Sequence, residues 1–280
     1  MTPRRQAQVN RREFLELAAV GPLGAMTFRR RESLRLERIG VQLYTVRDLM
    51  QANVRATLEL VARVGYQEVE FAGYFDTPLD RLRRWLEDFG LTAPAAHVPL
   101  LDGTLGGIFD AAQEVGHRYL VQGSIPVIQR RSLDGYRRLA ESLNQVGAAA
   151  REHNLMVAYH NHDFEFKPMG GIVPYDVLLS ETDPALVWLE VDFYWMAKAE
   201  RDPLPYFAAH RDRFRLCHLK DINGRGRIAE VGSGRLDFQR ILSQRDQAGL
   251  RHFFVEHDEP RDPTASIRTS YEYLRRLTAD

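Results

Sequence analysis

Four segments in the C-terminal half of the chain bring imidazoles and carboxylates together. They are Tyr159-His160-Asn161-His162-Asp163-Phe164-Glu165, Glu190-Val191-Asp192, His218-Leu219-Lys220-Asp221 and Glu256-His257-Asp258. Each closes a short apolar run of the kind that forms a buried strand. Imidazole nitrogen and carboxylate oxygen together suit borderline or hard divalent ions and leave positions open for substrate oxygens. The polar residue at the matching point of each run gives the expected ligand set: His160, Asp192, His218 and Glu256. Any one of them alone is as simply read as a hydrogen-bonded residue at a strand end. Four in register favour a metal centre, with Mn²⁺ expected and Co²⁺, Zn²⁺ or Mg²⁺ also compatible with the donors.

Such a set works only if the strand ends converge. From Ile39 onward, short apolar runs alternate with segments of helical period, the signature of an α/β fold. Strands are predicted over residues 39–44, 68–72, 92–97, 119–122, 155–160, 187–191, 215–219 and 252–256. Between them, Leu58, Val61, Ala62 and Gly65 lie on one helical face, as do Leu79, Leu82, Trp85, Leu86 and Phe89. Later helices are expected at 133–152, 175–180, 203–213, 238–247 and 264–277. Eight strand–helix units in this length predict a single (β/α)8 TIM barrel over residues 34–280, whose strand ends share one mouth. An open doubly wound sheet would need a glycine fingerprint after the first strand, and Tyr44-Thr45-Val46-Arg47 carries none.

Further candidates sit near the same strand ends. Lys220 could steady a substrate oxygen or pair with Asp221. His162 could act as a base, and Glu165 and His97 could grip substrate hydroxyls, although backbone-bonded loop residues are an equal reading. Tyr44, Phe193, Tyr194 and Trp195 could wall a pocket or pack in the core. Gly232-Ser233-Gly234 lacks the Lys-Ser/Thr pair of a phosphate loop and reads as a tight turn.

Composition narrows the partners. Lys+Arg and Asp+Glu are equal at 38 each in 280 residues, which removes the basic excess that would make nucleic acid the default partner. The single cysteine, Cys217, excludes an intramolecular disulfide and a cysteine-based zinc site. Residues 1–33 stand apart. Asn10-Arg11-Arg12-Glu13-Phe14-Leu15 precedes a mostly apolar stretch too short for a membrane span. It resembles a twin-arginine export signal, with a basic tail as the alternative, so export to the periplasm is expected without stable membrane insertion.

From Ile39 to its end the chain resembles the xylose isomerase-like TIM-barrel superfamily of sugar phosphate isomerases and epimerases. The resemblance rests on the four segments above, on Glu190 to Trp195, and on Val231-Gly232-Ser233-Gly234-Arg235-Leu236-Asp237-Phe238. In that superfamily a Glu, Asp, His, Glu set from the last four strands holds a metal, and the two glutamates often exchange the substrate proton. Asp192, His218 and Glu256 fall on matching positions, whereas His160 stands where the first glutamate is expected. Trp195 replaces a histidine that many members carry. The resemblance therefore implies a carbohydrate substrate and a metal that acidifies the C–H beside a carbonyl, with Glu256, His160 or His162 as base. Isomerisation, epimerisation and elimination from a keto-glycoside or keto-inositol all remain open at this point. A metal-dependent phosphodiesterase, or a barrel that only binds sugars, would share the scaffold.

Overall fold

The computed structural model describes residues 36–102 and 104–277. The twin-arginine-like segment thus lies outside the described residues. The barrel strands are β1 (Gly40–Gln42), β2 (Glu68–Phe71), β3 (Thr92–His97), β4 (Tyr119–Gln122), β5 (Met156–His160), β6 (Val187–Asp192), β7 (Phe214–Leu219) and β10 (His252–Val255). They are all parallel and close in the order β1-β10-β7-β6-β5-β4-β3-β2. Two short strands, β8 (Asp221–Ile222) and β9 (Ile228–Ala229), pair as an antiparallel ribbon just past β7.

Alternation along the strands sorts side chains into two apolar layers. Val157, Tyr159, Val191, Cys217, Leu219 and Val255 join the large layer between barrel and helices. Their sequence neighbours Ala158, Leu216 and Phe254 fill a small interior cluster with Ala95, Tyr119 and Val121. Gly40 makes room there, since a Cβ on it would stand 2.5 Å from the Phe254 ring. Toward the carboxyl ends the interior turns polar. The register pairs Gln42 with Glu70, His160 with Glu190, and Asp192 with His218, so the polar residues gather in tiers at one mouth.

The outer layer consists of α1 (Arg47–Ala52), α2 (Val54–Val64), α3 (Leu79–Phe89), α4 (Leu105–Val115), α5 (Leu133–Glu152), α6 (Pro174–Glu181), α7 (Phe193–Lys198), α8 (Pro203–Ala209), α9 (Phe238–Leu242), α10 (Arg245–Ala248) and α11 (Pro263–Leu277). Three differences from the sequence expectation have physical reasons. Helix α4 was not expected because Gly106 and Gly107 weaken its first turn, yet Phe109, Ala112 and Val115 bury a face at helical spacing. The single helix expected at 238–247 is divided around Ser243 and Gln244 into α9 and α10. The Asp237 side chain caps the first part, and Gly249 ends the second in the left-handed conformation. The helix expected at 203–213 ends at Ala209, so that Arg213 can turn its guanidinium onto Leu179 O and Thr182 Oγ1.

Candidate metal centre

His160, Asp192, His218 and Glu256 are all buried, and each offers a ligand atom within 4.8 Å of the others. Local structure aims each one. The His160 ring sets Nδ1 3.3 Å from Gly123 O, which leaves Nε2 facing Asp192 Oδ2 at 3.4 Å. Gly123 has no side chain for good reason, because a Cβ there would collide with the His97 ring. Asp192 uses its two oxygens differently. Oδ1 caps α7 by accepting from Trp195 N at 3.0 Å, and Oδ2 turns to the mouth. Buried Asn161 fixes the Asp192 backbone, accepting from its N–H at 3.1 Å.

His218 lies at the centre. Its Nδ1 is 2.8 Å from Glu256 Oε2 and 3.7 Å from Asp192 Oδ2. His218 Nδ1 makes no well-aligned hydrogen bond despite that proximity, and Glu256 Oε2 is met by the Lys220 ammonium at 2.5 Å. Two imidazole nitrogens and two carboxylate oxygens converge on one buried point, so the donor set fits a divalent metal. Burial works to lower the His218 pKa, but Glu190, Glu256 and Asp192 outweigh it and hold a proton on the ring well above the usual range. Metal binding at such a site releases that proton.

The other face of His218 explains its orientation. Nε2 lies 2.7 Å from Glu70 Oε2, which also accepts from Gln42 Nε2 at 2.8 Å. A carboxylate behind a ligating histidine fixes its tautomer and leaves the opposite nitrogen free for metal. Glu190 stands beside Glu70 and bonds His97 Nε2 at 2.7 Å. Glu70, His97, Glu190 and His218 thus form a second tier whose ligand-type atoms also lie within 4.8 Å of one another. The short His–Glu pairs in this tier have hydrogen-bond geometry, so it reads as the support beneath the centre. Burial pushes both Glu70 and Glu190 up to about 7, with Glu190 adding to the effect on Glu70.

Lys220 is only 1% exposed and stands beside the centre rather than paired with Asp221. Its Nζ lies 3.0 Å from Asp192 Oδ2, 2.5 Å from Glu256 Oε2 and 2.8 Å from Asp258 Oδ1. Burial acts to lower its pKa, yet Asp192, Glu256 and Asp258 outweigh it and keep the ammonium charged well above the usual range. The same contacts hold Asp192 and Glu256 ionised, since Lys220 with the neighbouring histidines overcomes the upward push of burial.

A cavity of about 630 Å³ opens above this centre, lined by His160, His162, Lys220, Glu256, Tyr44 and Trp195 among others. His97 also reaches its wall, though its Nε2 is taken by Glu190. His162 stacks on Phe164 and stands edge-on to His160; burial, reinforced by His160, drives its pKa down to about 3, so the ring is neutral near pH 7. Its Nδ1 is buried without a partner. Glu165 is placed elsewhere. It is fully buried in the helical layer, accepting from Tyr159 Oη at 2.7 Å and His162 N at 2.9 Å, away from the cavity wall. Phe193 packs in the apolar layer, and Tyr194 donates to Gly226 O. The glycine loop is filled from within, because the Asp221 carboxylate accepts from the N–H groups of Gly232, Gly234, Leu236 and Ile222.

Gln42, Glu70, Glu190 and Asp258 complete the site and were not singled out from sequence. Glu190 had a readable signal: it lies two residues before Asp192 on the same face of a buried strand, where a carboxylate needs a partner.

The fold agrees with the comparisons. A profile described as "Xylose isomerase-like TIM barrel" matches residues 58–277, and the chain belongs to that family. It is similar to an inosose dehydratase of Clostridium tetani, 31% identical over 195 residues that cover 59% of this chain and 63% of that protein. The chain thus spans less than two thirds of that relative's length. Among solved structures it is similar to a sugar phosphate isomerase/epimerase from Parabacteroides distasonis, with 25% identity, a TM-score of 0.74, and coverage of 85% of this chain and 97% of the other. The IOLI protein, solved with a bound zinc atom, shares the fold at 14% identity and a TM-score of 0.68, over 86% of this chain and 98% of that one. The relatives and neighbours thus carry the names of dehydratases and of isomerases or epimerases. No helix among the described residues is long and apolar enough to cross a membrane.

Proposed function

We propose that the chain is a divalent-metal-dependent lyase that removes the proton beside the carbonyl of a keto-sugar or keto-cyclitol and expels the β-hydroxyl as water. A divalent ion held by His160, Asp192, His218 and Glu256 would polarise the carbonyl and lower the barrier to C–H ionisation. Mn²⁺ is the expected ion, and the N₂O₂ donors also suit Zn²⁺ and Co²⁺.

The observation that carries the choice of elimination is the placement of Lys220. Its ammonium and the Glu256 carboxylate line one cavity, so a proton donor and a carboxylate acceptor serve the same substrate. Glu256 or a neutral imidazole takes the C–H proton, and the electron pair forms the new C=C as the β C–O bond breaks. The departing hydroxide takes a proton from Lys220 and leaves as water. The abstracted proton then returns to Lys220, closing the cycle. Epimerisation through two facing glutamates has less support, since His160 stands where the family resemblance implies the first glutamate. The relatives named inosose dehydratase support the same preference.

Isomerisation or epimerisation is the second reading. His162, a neutral imidazole with an unpartnered Nδ1 on the cavity wall, is the group that would return the proton. The test is incubation of the Mn²⁺-loaded full chain in D₂O with scyllo-inosose, which carries hydroxyls β to its carbonyl, followed by NMR. The lyase reading expects an unsaturated ketone or its enol to accumulate. Deuterium at the carbon beside the carbonyl, without loss of the β-oxygen, would transfer the assignment to the second reading.

A further inference from the structure

Two of the atoms assigned to the metal also serve a cation of this chain. The Lys220 ammonium stands 3.0 Å from Asp192 Oδ2 and 2.5 Å from Glu256 Oε2, the oxygens that the centre turns toward an ion. Asp192 has no second oxygen to spare, because Oδ1 is committed to Trp195 N at 3.0 Å. Glu256 Oε2 is also the oxygen that faces His218 Nδ1, at 2.8 Å. Both carboxylates are buried, and the Lys220 side chain is only 1% exposed. An ammonium and a divalent ion crowded onto the same two oxygens would repel each other at a few ångströms, where little water screens them.

A third carboxylate offers the ammonium another place. Asp258 Oδ1 lies 2.8 Å from Lys220 Nζ, yet Asp258 is outside the group of residues whose ligand atoms converge. Its side chain is more open, at 27% exposed, and it lines the cavity together with Lys220. Its main chain is anchored, since Arg47 donates to Asp258 O at 2.5 Å. The acceptor is therefore in place before the ammonium moves, and rotation along the flexible four-carbon lysine stem covers a shift of this size. The other lysine near the mouth, Lys198, lies 4.4 Å over the Trp195 ring, and Lys220 is the lysine in contact with all three acids.

We infer that Lys220 is a built-in rival of the metal: loading the centre moves its ammonium off Asp192 and Glu256 onto Asp258, and this exchange sets how tightly the ion is held. Asp258 is then a positioning residue that acts through Lys220. The inference rests on the metal centre of the function proposed above and adds what controls its loading, whichever carbonyl reaction follows.

The test measures Co²⁺ binding to the full chain at one pH and ionic strength, by visible spectrum and calorimetry, across a double-mutant cycle of Lys220→Met and Asp258→Asn. Lys220→Met should bind about tenfold or more tightly than wild type. Co²⁺ should also raise its Tm by more than that of wild type, because the ion is then the cation left to Asp192 and Glu256. Asp258→Asn should weaken binding severalfold in the wild-type chain, and by less than about twofold beside Lys220→Met. Equal or weaker binding by Lys220→Met overturns the inference. So does an Asp258→Asn effect of the same size in both backgrounds, which would make Asp258 a remote charge acting on the ion directly. Wild-type crystals soaked in Mn²⁺ need no variant to fold. Lys220 Nζ should keep Asp258 Oδ1 and leave hydrogen-bonding distance of Asp192 Oδ2 and Glu256 Oε2, and an ammonium still bonded to both beside a bound ion overturns the inference while leaving the metal centre intact. No Co²⁺ binding by any of the four chains overturns the metal centre itself, and this inference with it.

Discussion

At the scale of single residues, the account assigns different consequences to carboxylates that look alike in the sequence. Glu256→Gln keeps the size of the side chain but weakens both ligation and basicity, and activity should fall by about 10²- to 10⁴-fold or more. His162→Asn should cost less, because the ring lines the cavity without holding the metal. Glu165→Gln should leave kcat nearly untouched, since its carboxylate is bonded to Tyr159 and His162 N inside the helical layer. Steady-state kinetics on the three variants checks this order, and a Glu165→Gln enzyme as impaired as Glu256→Gln would contradict it. The four candidate ligands were legible because each stands at the matching point where an apolar run ends. Glu70 was not, because nothing in Glu68-Val69-Glu70-Phe71 says which strand it faces across the barrel. Its partner His218 lies 148 residues away and meets it only when the barrel closes. Glu165 misled for the opposite reason: it follows a strand end, but the turn at Phe164–Phe166 directs it outward.

At the scale of elements, the second tier should act through His218. Glu70→Gln removes the charge that fixes the Nε2–H tautomer, and metal affinity should drop by about 10- to 100-fold. Titration with Co²⁺, followed by its visible spectrum, reads affinity and ligand geometry without any substrate. Unchanged affinity and spectrum would remove Glu70 from this role, and two ions bound per wild-type chain would make the tier a metal site of its own. The junction between α4 and β4 makes a separate prediction about pH. His117 has one ring nitrogen, Nδ1, 2.7 Å from Ala93 O, and the other, Nε2, is buried without a partner, so burial drives its pKa from 6.5 down to about 4. The unfolded chain binds the proton first as pH falls. Stability from this group is therefore fully present above about pH 6.5 and is lost on descending toward 4, by up to about 3 kcal/mol. Urea unfolding of wild type and His117→Phe between pH 7 and 4.5 should show a shallower pH slope in the variant, and equal slopes would refute the assignment. Strand positions were readable from apolar runs bounded by polar ends. Helix α4, masked by two glycines, and the break between α9 and α10 were not, since packing against the barrel decided both.

At the scale of the whole molecule, eight parallel strands turn residues scattered from Gln42 to Glu256 into one centre. The α/β alternation alone made that closure legible. Residues before about Ser33 precede the first strand, and removing them should leave folding and metal affinity nearly unchanged. Circular dichroism and a Co²⁺ titration of the shortened chain would show it, and loss of soluble folded protein would mean that the segment packs on the barrel. We propose that the same segment directs export, which fractionation of cells with and without Arg11-Arg12 would reveal. The central claim is the position of the metal, and anomalous diffraction from crystals soaked in Mn²⁺ or Co²⁺ tests it most directly. The account predicts a single strong peak about 2.0–2.3 Å from His160 Nε2, Asp192 Oδ2, His218 Nδ1 and Glu256 Oε2, with Lys220 displaced toward Asp258. A peak seated instead among Glu70, His97 and Glu190, or a mouth in which the Lys220 ammonium still bridges Asp192 and Glu256 with no peak beside it, would contradict the account.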